Sequence, residues 1–251
     1  MSSQLSILAE SVELLRGLLE EWAGRQSGSK AKDIRRSFIN RHAWNIHDLA
    51  EDVLVLAEAG KLGSIHLLSR PALESLFKLG AAVKDEKFAA QKVVAEIEEE
   101  RDKVGYWRAA AEAGWVATLD KMSKLLVEFG DELRTRYGVT GQRKWKVFEV
   151  AKVGKLEAEY VRDYFVGSKH VHVMLSALTD REDQLYVPEA LYRLTALVSH
   201  ASALVNKALI DLENCVAPEV FNTALELHRR AKTEFDATSS AQTAVLKAQG
   251  Y

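Results

Sequence analysis

Cysteine is nearly absent from this 251-residue chain, with Cys215 standing alone. One thiol excludes an internal disulfide and any Cys-x-x-Cys metal or redox site, and it suits a reducing compartment. Proline is almost as scarce, limited to Pro71, Pro188 and Pro218. So few breakers over such a length favour long helices over many short strands. Charge of one sign is lacking too. The formal net charge is −2, so no global field draws in nucleic acid, although a local patch can. No run approaches the ~18 uncharged apolar residues that mark a membrane span. The opening "MSSQLSILAESVELLRGLLEEW" has no basic leader, and acids interrupt its apolar residues. It reads as an amphipathic helix and not as a signal peptide.

Familiar catalytic signatures are missing as well. There is no HExxH and no Glu-x-x-His, which removes the zinc-protease pair and the di-iron carboxylate pattern. No P-loop, GxGxxG or GxSxG occurs, so nucleotide-cradling and nucleophile-elbow readings have no support.

What is present is helical periodicity. Leu5, Leu8, Val12, Leu15, Leu18 and Leu19 recur at helical spacing. After the connection "GRQSGSKAK", Asp33 can cap a second helix running to about Ala59. Gly60 and Gly63 close it, and Ser64 can cap a third through Val83. Pro71 either kinks that third helix from inside or starts it, with Ser69 as cap. Further helices are expected from Asp85 to about Gly114, over Trp115–Tyr137, around Trp145–Val153 and from Lys155 to about Leu178. Pro188 and Pro218 suit first helical turns and so open helices over 188–215 and 218–235. The expected fold is all-α, a single irregular bundle of about seven to nine helices. Residues 1–236 form its domain, and 237–251 form a small polar tail or docking helix.

Several polar features read as ordinary surface or core. Trp22, Trp44, Trp107, Trp115 and Trp145 are spread along the chain and suit core anchors better than a stacking platform. "EIEEERDK" (96–103) reads as a solvated face. His47 and Glu51 in "RHAWNIHDLAEDV" are i, i+4 neighbours, which a solvated helix face explains.

"DYFVGSKHVHVM" (163–174) is the most informative stretch. Helical spacing of Val161, Phe165, Ser168, Val171, Leu175 and Leu178 sets His170 and His172 about 200° apart, so they do not share a metal. Tyr160, Tyr164, Ser168 and His172 instead recur every four residues and form one slanting stripe. The stripe borders the apolar line, and its polar groups need partners when buried. Arg70 and Glu74, i and i+4 on a mostly apolar helix, can supply them.

These residues carry a resemblance. "LLSRPALESLFKLGAAVKDE" (67–86) and "KWKVFEVAKVGKLEAEYVRDYFVGSKHVH" (144–172) resemble a widespread bacterial family of helical domains of unknown function. The shared pattern is an R-x-x-x-E helix and a distant Y-x-x-x-Y-x-x-x-S-x-x-x-H helix. It falls on Arg70, Glu74, Tyr160, Tyr164, Ser168 and His172 over about residues 38–178, with Pro71 departing from the usual residue. Similarity to HEPN-like ribonuclease domains is at the level of analogy, because their R-x(4–6)-H spacing is weakly specific. It occurs here as Arg35 or Arg36 before His42, Arg41 before His47 and Arg193 before His200.

The sharper functional expectation is a polar inter-helix site with His172 as general acid or base. Arg70 stabilises a developing anion there, Glu74 orients the arginine, and Ser168 and Tyr164 position groups. Without a metal motif or cofactor signature, the reaction that fits is metal-independent RNA cleavage, in a bacterial defence, toxin or stress system by analogy. Segment 141–172 has seven Lys/Arg against four Asp/Glu, a local excess that can meet phosphate. The rival is a non-catalytic interaction module in which the same residues form a structural hydrogen-bond network; a cytoplasmic location is expected under either reading. Such a module would form a homo-oligomer or bind a protein partner through an exposed stripe on helix 5–19 or 188–215.

Overall fold

The computed structural model describes residues 2–25, 33–61, 65–139, 145–165, 183–215 and 217–248. Ser168, His170 and His172 lie outside the described residues. Helix α1 (Ser2–Arg25) forms where the leucine spacing places it, and Leu8, Val12, Leu15, Leu19 and Trp22 are buried. Helix α2 (Ile34–Glu58) starts at Asp33, whose carboxylate accepts the Arg35 N–H at 2.9 Å. That bond satisfies one of the orphan donors of the first turn. Gly60, at φ 71°, lies just past its end.

Helix α3 (Ile65–Lys84) contains Pro71 in its interior, so the proline does not start it. The bond forfeited is the one to the carbonyl of Leu67, and Leu67 is itself exposed to water. Helix α4 (Phe88–Ala110) and helix α5 (Ala113–Tyr137) pack against each other as a hairpin, and α5 ends on Gly138 in the left-handed region. Helix α6 (Val147–Gly154) ends at Lys155, also left-handed. Helix α7 (Glu157–Glu159) runs directly into a π-helical segment, Tyr160–Phe165. Helix α8 (Asp183–Glu213) and helix α9 (Pro218–Ala248) complete the bundle. There is no strand among the described residues, and the fold is all-α.

The main core joins α1, α2, α3, α6 and α8. Phe77, Leu76 and Leu79 of α3 lie at its centre, fully or almost fully buried. At one point α3 and α6 approach backbone to backbone: a Cβ on Gly154 would lie 3.1 Å from the Ala81 nitrogen. A smaller core of Ala90, Val94, Ile97, Leu133 and Val139 holds the base of the α4–α5 hairpin.

Several expectations change. Pro188 lies inside α8; near the helix start its missing N–H costs a single bond. Helix α9 continues through Ala248 because the polar stretch after Phe235 contains neither proline nor glycine until Gly250. Trp107 and Trp115 are exposed and not core anchors, since the hairpin that carries them presents one face to solvent. His47 is buried beneath Arg16, and Glu98, inside the acidic run, is buried and paired with Arg134. The leucine stripes of α1 and α8 are spent on the core, so neither offers a docking face. No helix among the described residues is long and apolar enough to cross a membrane.

Candidate functional site

Arg70 and Glu74 lie one turn apart on α3, facing the π-helical segment. An i→i+5 register is rare and concentrates at functional sites. Here it presents Tyr160 and Tyr164 on one face, their rings stacked 5.1 Å apart at 21°. Phe148 packs on Tyr160, and Phe77 meets Tyr164 edge-on. The Arg70 guanidinium sits over the Tyr164 ring, 5.2 Å from its centroid, a cation–π contact that closes the aromatic stack.

Three hydrogen bonds unite the polar ends. Arg70 Nη2 donates to Tyr164 Oη at 3.0 Å, and Tyr164 Oη donates to Glu74 Oε1 at 3.0 Å. Arg70 Nε donates to the same carboxylate oxygen at 3.3 Å. The bond Arg70 donates to Tyr164, with Glu74 beside it, raises the Arg70 pKa further above its ordinary value. Burial first, then the Glu74 charge, raises the Tyr164 pKa, so the phenol keeps the proton it donates. Tyr164 is buried, whereas the Arg70 and Glu74 side chains are 39% and 34% exposed. The cluster is therefore anchored on its inner side and reachable on its outer one.

Glu74 also faces a cleft between α2 and α3 of about 480 Å³. Its walls include Arg41, His42, Asn45, Asp48, Ser75 and Lys78. Both carboxylates are engaged, Glu74 as above and Asp48 with His47 Nδ1 at 3.0 Å. Arg41 and Lys78 have no ion pair among the described residues, so they are the charges left to meet an anion. Asn45 and Ser75, joined at 2.6 Å, add polar groups between them. His42 cannot contribute charge: burial, then Lys78 and Arg41, push its pKa down to about 3.

The structure thus joins Arg70, Glu74 and Tyr164, three of the expected site residues. Asn45, Ser75 and Lys78 escaped the sequence reading, and Arg41 entered it only through its spacing to His47. Their signal was polar residues at i, i+4 spacing, Arg41–Asn45 on α2 and Glu74–Lys78 on α3, facing each other across the cleft.

Of the R-x(4–6)-H spacings, two are split by the fold. Arg36 is buried against Leu212 and Glu213, while His42 faces Phe38 and the cleft. Arg41 lies on the cleft, whereas His47 receives Arg16 Nε at 3.2 Å. Arg193 and His200 do share a second cavity of about 350 Å³, with Arg162, Asp163 and His228. There the arginines are paired with Asp163 and Glu189, and His200 Nδ1 lies 3.6 Å from Glu159. Burial lowers the pKa of both histidines. His47, Asp48 and Glu51 bring ligand-type atoms within 4.8 Å of one another, but the Arg16 guanidinium already pairs with Glu51 and His47.

Fold and site together define an all-α bundle with an arginine–glutamate–tyrosine cluster at the junction of two helices and a π-helical turn. The chain belongs to a family of unknown function, DUF5677, whose model matches residues 36–185 and so includes both the cluster and the cleft. Searches of curated proteins and of solved structures gave no match.

Proposed function

We propose that the chain binds RNA in the α2–α3 cleft and cleaves it without a metal. The observation that carries this reading is the pair of cations without an ion pair among the described residues, Arg41 and Lys78, on a cleft lined also by Glu74, which holds Arg70. A phosphodiester bound there meets two positive charges and the polar groups of Asn45 and Ser75. In the reaction the substrate's 2′-hydroxyl attacks the adjacent phosphorus. The 2′-proton passes to a base, the bond to the 5′-oxygen breaks, and that oxygen takes a proton from an acid. The products are a 2′,3′-cyclic phosphate and a free 5′-hydroxyl. His172 serves in the proton transfers, Arg70 holds the charge that develops on the phosphoryl oxygens, and Glu74 and Tyr164 fix the arginine in place. Ser168 positions the reacting groups.

The test is incubation of the purified chain with mixed RNA in EDTA. Wild type should leave 2′,3′-cyclic phosphate ends. His172→Ala should lower the rate by about 100-fold or more, and Arg41→Ala with Lys78→Ala should raise KM. No cleavage by wild type, or equal cleavage by all variants, defeats the proposal.

A second reading is favoured by the closure of the three hydrogen bonds among Arg70, Glu74 and Tyr164. In it the cluster is a structural fastening of the π-helical segment in a non-catalytic module. Arg70→Ala would then lower the melting temperature and change no RNA.

A further inference from the structure

Helix α5 carries two apolar seams, and the bundle covers one. Leu119 and Leu133 are buried and Leu126 is partly buried toward α4. Trp115, Met122 and Phe129 precede these leucines by four residues, about 40° around the axis, and with Leu125, about 100° from Leu126, they form a second line. Trp115 is 65% exposed, Met122 42%, Leu125 55% and Phe129 44%. Trp115, Met122 and Phe129 are seven apart and Leu125 lies between the last two, which is the a and d spacing of a coiled-coil seam. Nothing among the described residues covers it.

The geometry points to a second copy of this chain as its occupant, paired antiparallel along α5. The reason is self-complementarity, which a twofold interface requires. An axis midway between Met122 and Leu125 sets Met122 of one copy on Leu125 of the other, twice, and Phe129 over Thr118. On the flank away from α4, Lys121 of one copy then falls beside Glu128 of the other, again twice. A parallel pairing would place Lys121 and Glu128 beside Leu126 and Leu133, with no opposite charge to meet. Glu128 is available for the pairing, because its contact with Lys124 is an exposed one at 3.8 Å. Two α4–α5 hairpins joined in this way form a four-helix bundle with both seams covered.

Sedimentation equilibrium of the full chain tests the pairing. Wild type should be a dimer at about 100 μM, and Leu125→Glu with Met122→Glu should make it monomeric with an unchanged helical circular-dichroism signal. Both residues face solvent in the monomer, so folding should survive. Lys121→Glu alone should weaken the dimer at least tenfold, and Lys121→Glu with Glu128→Lys should restore it. A monomeric wild type overturns the proposal and leaves the seam to a different protein. A dimer indifferent to the seam variants, or a charge swap that restores nothing, overturns it equally. RNA cleavage is read separately, so neither result depends on the other.

Discussion

His42 shows how one residue can carry charge information that its neighbours dictate. Its ring meets Phe38 edge-on, 4.4 Å between centroids, and is buried beside Lys78 and Arg41. Burial and these cations hold its pKa near 3, against an ordinary 6.5. Between those values the unfolded chain binds a proton that the folded chain refuses, so stability rises with pH across the window. Above about pH 6.5 both states are neutral at this group and its contribution is flat. Below that it costs about 1.4 kcal/mol for each pH unit descended, until the folded ring titrates. His200 and His228 shift in the same direction and steepen the total. Urea midpoints from pH 7 to pH 5 should therefore fall less steeply in His42→Leu than in wild type. Equal slopes would mean that the ring is protonated in the folded chain.

At the scale of elements, the contact between α3 and α6 depends on glycine. A Cβ at Gly154 would stand 3.1 Å from the Ala81 nitrogen and 3.2 Å from the Gly80 carbonyl carbon, both backbone atoms that cannot move aside cheaply. Gly154→Ala should cost about 1–3 kcal/mol through overpacking. Gly105→Ala in α4, where nothing lies within 4 Å, should gain a few tenths to about 1 kcal/mol through helix propensity. Thermal melts of the two variants should thus move in opposite directions. In the sequence these glycines look alike, because a residue's packing partner is not written in its neighbours. The same limit explains what was legible. Helix positions followed from apolar spacing and caps such as Asp33, both local properties. The π register at Tyr160–Phe165 did not, since its sequence reads as ordinary helix. Arg70 and Glu74 could be paired by spacing, and their meeting with Tyr164 was expected because the polar groups of a half-buried stripe need partners. Arg41 and Lys78 needed the α2–α3 crossing itself.

For the whole molecule, the family segment does not bury itself. The core beneath residues 36–185 is completed by Leu8, Val12 and Leu15 of α1 and by Leu191, Leu194 and Val198 of α8. One polar fastening ties these parts: Arg36, at the start of α2, reaches the end of α8. Its guanidinium donates to the Leu212 carbonyl at 2.7 Å and pairs with Glu213, and both charged side chains are almost wholly buried. A cation at a helix C-terminus satisfies carbonyls that have no partner within the helix and meets the negative end of the dipole. A buried pair of this kind is weak evidence of net stability, yet removing one partner strands the other in a poor solvent for charge. Glu213→Leu or Arg36→Met alone should therefore cost about 3–5 kcal/mol. Arg36→Met combined with Glu213→Leu should cost clearly less than the two single losses added, because no lone charge is left behind. Denaturant melts of the four proteins complete the cycle. Additive losses would show that the two side chains act independently, and that α2 is held to α8 by the apolar core alone.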